Sequence, residues 1–427
     1  MTKSVIIFLV DLKEEHILTV KINRFNIYSC ITVQYNDIQL CFDPAKIRNC
    51  DIENIVPDVI FISHESMDHM QPSQVYILQK KKNCKIFCSI ACAIDLIQAF
   101  PCDYEFINSI NPMIPETKTK YGSIVIETQK SIHCDYMLPL VFKITFTHSQ
   151  TAIFHCFDTL LSDEIIKFSE NTSLAIIPIG IAKGVSANSG LEFVQKLHSH
   201  KFVTNHLKSN EELQTFKKLV DKSYPCTFLD WNESASIEIS KVDYNDFSAD
   251  FNLESIEKDS HIPSKEKLMW IISNINSMTT ELINNKQLLN NLFLKYLMAD
   301  ESEKVILLNI FICISLLDSN LIPNFLVKNI KDDLSTGVSY ENNSLHTVIL
   351  LFLGVYSQQS GIIIGVNEAI NLIDDANEHI TYWVVEFLGR CIIADKTNYE
   401  YLVHELLKII SVSSIYNSIV VRRKIFW

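Results

Sequence analysis

Glycine is scarce, with 9 in 427 residues, against a usual share of about 7%. That scarcity limits tight turns and phosphate-cradling loops, and neither the Gly-x-Gly-x-x-Gly nor the Gly-x-x-x-x-Gly-Lys pattern occurs. Basic charge is short as well: 37 Lys and Arg face 50 Asp and Glu, a formal net charge of −13. A surface that tracks phosphates needs the opposite excess, so no nucleic-acid partner is expected. At the N-terminus the apolar run Ser4 to Val10 is followed at once by Asp11, Lys13, Glu14 and Glu15, without a small-residue cleavage site, so no signal peptide is expected. The longest apolar stretch, Val305 to Leu317, is about a dozen residues and is interrupted by Asn309, against the roughly 20 that span a bilayer. No membrane partner is expected from it. The 12 cysteines lack the paired spacings of a disulfide framework, which points to reduced thiols in the cytoplasm. Cys84, Cys88 and Cys92 lie in an apolar run and read as core residues.

What is present is enough apolar material for large cores: 48% of residues are hydrophobic and only 20% charged. At about 150 residues per domain the length allows two or three domains. Residues 1–235 alternate strand-like and helix-like runs, an α/β pattern. Strands are expected at Asn26 to Val33, Ile38 to Phe42, Asp58 to Ile62, Lys85 to Cys88, Val141 to Thr147, Thr151 to Phe157, Leu174 to Ile179 and Lys201 to Thr204, with helices at Ser73 to Lys82, Ala91 to Phe100 and Leu191 to His198. Residues 236–266 are polar and acidic and read as a linker. From 267 to 427 apolar residues recur at helical spacing in successive segments, an all-α domain built as a bundle or as stacked helix pairs of the HEAT kind.

The chemistry-bearing feature is Ile62-Ser63-His64-Glu65-Ser66-Met67-Asp68-His69, which follows a buried strand. A loop at a strand's C-terminal end can aim several side chains at one point, and His and Asp are residue types that hold divalent metals. Asp43-Pro44 lies upstream at another strand end; His133, then Phe154-His-Cys-Phe-Asp158-Thr159, then Asn205-His206 follow downstream.

This order resembles the metallo-β-lactamase superfamily, in particular its lactonase-like and phosphodiesterase-like hydrolase branch. The resemblance covers roughly residues 20 to 235. It implies an αββα sandwich there and leaves unexplained the all-α helical C-terminal domain that the periodicity indicates. It also implies two metal positions: His64 and His133 at one, Asp68, His69 and His206 at the other, with Asp158 bridging. Zinc is the first expectation, with manganese or iron as alternatives, and a metal-activated water as nucleophile that Asp68 orients.

The sequence departs from the family at two places. Ser66 stands where the second histidine of the family's HxHxDH motif belongs, which weakens the first position. Phe157 replaces the glycine before Asp158, which displaces the backbone there or walls the site with a ring and narrows the pocket. The resulting expectation is a metal-dependent hydrolase of a small phosphoester, lactone or amide. Two alternatives are an assembly protein of little or no activity whose helical tail binds a partner chain, and a mononuclear Fe(II) dioxygenase using His64, His133 and Asp158.

Other candidates have plainer readings. His148 and His155 are alternatives to His133 as ligands, but sheet histidines are commonly just hydrogen-bonded. Lys80, Lys81 and Lys82 read as the solvated C-terminal end of a helix. Lys183 reads as exposed.

Overall fold

The computed structural model describes residues 18–100, 102–133, 139–180, 185–207, 209–220, 224–242, 268, 271–272, 284–335, 343–373, 378–394 and 400–404. Its first half is the expected αββα sandwich, two seven-stranded mixed sheets packed face to face. The strands are β1 (Leu18–Arg24), β2 (Ile31–Tyr35), β3 (Ile38–Phe42), β4 (Val59–Ile62), β5 (Lys85–Ser89), β6 (Ile110–Met113), β7 (Lys118–Tyr121), β8 (Ile124–Lys130), β9 (Leu140–Phe146), β10 (Thr151–His155), β11 (Thr172–Pro178), β12 (Ser199–Asn205), β13 (Cys226–Thr227) and β14 (Ser234–Ile239). One sheet runs β14-β1-β2-β3-β4-β5-β6 and the other β13-β12-β11-β10-β9-β8-β7. Pairing is parallel from β3 to β6 and from β10 to β13. Parallel strands are covered on both faces; β4 and β11 are accordingly buried throughout, β4 as an unbroken apolar run and β11 as one from Leu174 onward.

Phe42, Phe61, Phe142 and Phe157 fill the space between the sheets. Outside the first sheet lie α1 (Asn49–Ile52), α2 (Pro72–Lys82), α3 (Ile90–Ala99) and α4 (Tyr104–Ile107); outside the second lie α5 (Asp163–Phe168), α6 (Ala187–Lys196) and α7 (Asn210–Leu219). Serine side chains cap α3, α5, α6 and α7 by accepting from backbone N–H groups of the first turn.

Several expectations shift. The strand expected at Asn26 to Val33 begins only at Ile31. The Asn26 carboxamide oxygen accepts from the N–H groups of Tyr28 and Cys30, which closes residues 26–30 into a loop. β14 pairs antiparallel with β1, Leu18 opposite Ile239, so the sandwich runs four residues into the stretch read as linker. Residues 243–266 of that stretch lie outside the described residues, as does Lys183. The three lysines are exposed at the end of α2, as expected, and each is also tethered: Lys80 pairs with Asp103, Lys81 donates to the carbonyls of Ile52 and Ile55, and Lys82 pairs with Asp58. Cys84, Cys88 and Cys92 are buried core residues, and all eleven described cysteines are free thiols.

The second half contains α8 (Lys286–Met298), α9 (Glu301–Asp318), α10 (Asn324–Leu334), α11 (Asn343–Ser360), α12 (Val366–Ile370) and α13 (Glu378–Ala394). α11 packs against both α9 and α13, while α10 touches α12. Contrary to the expectation from its interrupted run, Glu301–Leu321 is long and apolar enough to cross a membrane by length and composition, yet 61% of its window is buried within the fold. Ile306, Leu307, Ile310, Phe311 and Ile314 supply that burial.

The same core takes in Ile90, Ala91 and Ile94 of α3, whereas Cys92, Ala93 and Leu96 of that helix face the first sheet. A helix apolar on all sides is one buried on all sides. Around it Gln98 bonds Gln358 at 2.7 Å, and Arg390 lies 3.6 Å from Asp95 and 2.6 Å from Glu386.

Candidate metal centre

The parallel strands deliver their C-terminal ends to one edge of the sandwich, where chain reversals can gather side chains from both sheets. Asp43 follows β3, residues 63–69 follow β4, His133 follows β8, Asp158 follows β10 and His206 follows β12. Three of these turns stand in the left-handed region at residues other than glycine: Asp43 at φ 45°, Phe157 at φ 48° and His206 at φ 45°. Such conformations cost about 1–3 kcal/mol each and persist where neighbours over-determine them. His206 is held by its N–H donating to Tyr28 O at 3.1 Å, and Asp43 by its N–H donating to Phe61 O at 2.9 Å.

Asp43 is fully buried and collects the loop after β4. Its Oδ1 accepts from Ser63 N at 2.8 Å; its Oδ2 accepts from Ser63 Oγ at 2.9 Å, Ser29 Oγ at 3.0 Å and His69 Nδ1 at 2.6 Å. Ser63 Oγ lies 2.8 Å from His64 Nδ1, so a donor chain runs from His64 through Ser63 to the same carboxylate. His206 Nδ1 donates to Gly180 O at 2.9 Å. With Nδ1 committed on His69 and His206, the Nε2 atoms point inward, and neither has a hydrogen-bond partner.

Those atoms face Asp158. Its Oδ2 is 3.1 Å from His69 Nε2, 3.4 Å from His206 Nε2 and 3.7 Å from His133 Nε2, and its Oδ1 is buried without a hydrogen-bond partner. The donor atoms form two groups, each within 4.8 Å internally: His64, His133 and Asp158, and Asp68, His69 and His206. Asp158 reaches the second group through His69 and His206. All six residues expected at the two positions are thus brought together in that division.

A bare imidazole nitrogen and a carboxylate oxygen 3.1 Å apart are two lone pairs in opposition, and only a proton or a metal ion between them makes the contact favourable. Protonation is one answer in this protein. Burial pushes His69 toward the neutral form, but the Asp158 and Asp43 charges outweigh it and raise the imidazole well above its usual range. Burial likewise acts upward on Asp158, and the charges of His206 and His69 override it and hold the carboxyl well below the usual range. Burial, reinforced by His69 and His133, keeps His64 neutral, the form that ligates. The donor set suits a divalent ion of the zinc class, with imidazole nitrogens oriented by outer hydrogen bonds and a shared carboxylate.

The two departures have specific consequences. Ser66 is nearly buried, and its hydroxyl donates to Asp68 Oδ1, so it orients that carboxylate rather than filling the first position. Burial raises the Asp68 carboxyl, but His69 and the Ser66 bond outweigh it and the group stays below its usual range. Phe157 does not wall the site. Its ring turns into the inter-sheet core, 1% exposed and stacked on His155 at 3.8 Å. His155 is likewise a core residue: its Nδ1 accepts from Phe157 N at 3.0 Å, and Asn205 lies 3.3 Å from its Nε2. His148 is exposed in the turn after β9. Residues that sequence reasoning passed over are the positioning groups Ser29, Ser63 and Thr159, whose Oγ1 accepts from Ile132 N at 2.9 Å and ties the His133 segment to the Asp158 turn.

No family model matches the chain, and no curated protein matches it in sequence. Among solved structures it is similar to Igni18, a metallo hydrolase from the hyperthermophilic archaeon Ignicoccus hospitalis, at 19% identity over 52% of this chain and 100% of that one, with a TM-score of 0.43. The metallo-β-lactamase fold protein YhfI from Bacillus subtilis is similar at 17% identity over 51% of this chain and 99% of its own, with a TM-score of 0.42. Human tRNase Z, short form, is similar at 10% identity over 51% and 98%, with a TM-score of 0.40.

Proposed function

We propose that the sandwich is a metal-dependent hydrolase acting on a small phosphoester, lactone or amide, with zinc as its ion and with His64, His133 and Asp158 at one position and Asp68, His69, His206 and Asp158 at the other. The observation that carries this reading is the convergence of three imidazole Nε2 atoms on Asp158 Oδ2 at 3.1, 3.4 and 3.7 Å. A divalent ion there supplies a water of lowered pKa and a Lewis acid for the substrate oxygen.

The chain's own residues do the rest. Asp43 fixes His69 directly and His64 through Ser63, so their Nδ1–H groups point outward and their ligating nitrogens inward. Asp68, held by Ser66, offers a carboxylate at the rim that can orient the attacking water and take its proton. Free cysteines throughout the described residues fit a reducing compartment such as the cytoplasm.

Metal analysis of the untagged protein before and after chelation, with turnover of bis(4-nitrophenyl) phosphate, a lactone and an anilide, tests the proposal. Stoichiometric zinc and cleavage lost by at least about a hundredfold in Asp158→Ala and His206→Ala are expected, since removing several kcal/mol of charge stabilisation has that effect. Undiminished cleavage in both variants would overturn the assignment.

A further inference from the structure

The rim of the candidate metal centre has its own chemistry. Ile27, Met67, Ile132 and Leu160 are large apolar side chains between 39% and 47% exposed. Three stand on segments that carry a ligand candidate, and the fourth on a loop bonded to such a segment. Met67 lies between Ser66 and Asp68, Ile132 precedes His133, Leu160 follows Asp158 by two residues, and Ile27 O accepts from Leu207 N beside His206. Leu160 N donates to Ile132 O at 3.1 Å, so the segments that carry two of the four are bonded to each other. Apolar side chains left in water around a polar centre mark a surface that a ligand covers.

One cation completes this rim. Lys46 is exposed, and its ammonium lies 4.3 Å from the centroid of the Tyr28 ring, which in turn meets His206 edge-on at 5.8 Å. Lys46 forms no ion pair among the described residues. Its backbone stands in the left-handed region at φ 52° and is held by its neighbours. Asn26 Nδ2 donates to Ala45 O at 2.6 Å, Lys46 N to Gln71 Oε1 at 3.4 Å, and Ile47 exchanges hydrogen bonds with the Gln74 carboxamide at 3.0 and 2.8 Å. A cation so tethered, resting on an aromatic face beside a ligand candidate, is placed to meet an anionic group at the centre.

We infer that Lys46 and this apolar rim select a phosphodiester monoanion bearing an apolar arm, Lys46 positioning the anion and Ile27, Met67, Ile132 and Leu160 covering the arm. This rests on the hydrolase reading above and narrows its three substrate classes to one. A neutral lactone or amide would leave Lys46 without a counter-charge.

Isothermal titration of the full-length, zinc-loaded protein with the monoanions hexyl methylphosphonate and methyl methylphosphonate tests it, read beside turnover of bis(4-nitrophenyl) phosphate. The hexyl ligand is expected to bind at least about tenfold tighter, because each buried methylene contributes measurably. Lys46→Gln is expected to weaken both ligands by about tenfold, with recovery in Lys46→Arg, as for a charge-assisted contact. Ile27→Asn is expected to reduce the preference for the hexyl arm and leave the Lys46 effect intact. Equal binding of the two ligands, or unchanged binding in Lys46→Gln, would overturn the inference even if esters are cleaved. Selective binding with no ester cleaved would instead overturn the hydrolase reading and leave the recognition surface standing.

Discussion

His69 Nδ1 lies 2.6 Å from Asp43 Oδ2, and both residues are fully buried. With Ser29 Oγ 2.7 Å from the same nitrogen, that contact leaves Nε2 to face the centre. Replacing Asp43 with Asn keeps the volume but removes the charge that holds the tautomer. Zinc affinity, measured by chelator competition, is expected to fall by about 10- to 100-fold, the usual loss when a ligand's outer partner is changed. Unaltered affinity in Asp43→Asn would show that the Asp43 charge does not support His69 as a ligand.

Ser66 donates to Asp68 where the resembling family places a histidine. Ser66→His adds a third imidazole to the weaker position beside His64 and His133. Elemental analysis is expected to show more zinc bound per chain than in the unaltered protein, up to one further ion. The same substitution removes the hydroxyl that orients Asp68, so turnover need not rise with occupancy.

Phe157 combines a left-handed backbone with a ring stacked on His155 and packed near Phe42 and Phe142. Phe157→Gly relieves about 1–2 kcal/mol of backbone strain. Losing the buried ring costs about 3–5 kcal/mol. Urea melts are therefore expected to show a net destabilisation of about 1–4 kcal/mol. A stabilised variant would mean that the ring contributes little to the core.

Asp103 is held by Lys80 first, then by the Phe106 N–H and the Tyr76 hydroxyl, and its carboxyl is pushed down to about 2 from 3.8. A carboxylate depressed in the folded state contributes stability that is present above its unfolded value and lost as acid titrates the folded group. Chemical-denaturation midpoints of Asp103→Asn should fall below those of the unaltered protein at neutral pH. The two should converge as the pH drops from about 4 toward 2. A gap that is constant across this range would remove the ion pair as the cause.

Much of this architecture was legible because parallel strands buried on both faces leave continuous apolar runs, as at Val59–Ile62 and Leu174–Pro178, and because the ligand candidates sit just after strands. His64, Asp68, His69, His133, Asp158 and His206 could be named on that basis and by resemblance. Asp43 was visible only as the end of a strand. Its grip on His69 and Ser63 joins residues 20 or more apart in the chain, which no local pattern encodes. The placement of the Phe157 ring was equally hidden, since a left-handed turn decides which way a side chain leaves the backbone. β1 and β14 escaped notice for a related reason: as partners of one another at a sheet's edge they carry polar residues such as Lys21, Asn23, Ser234 and Glu238.

Helix α3 is claimed from both sides, by the strands that carry the His64 to His69 loop and by the helices of the second half. Producing residues 18–242 by themselves would bare Ile90, Ala91 and Ile94 as a greasy stripe on the back of the sheet. Such a fragment would be prone to clump or to occupy chaperones. The tail therefore acts as a permanent cover for its neighbour.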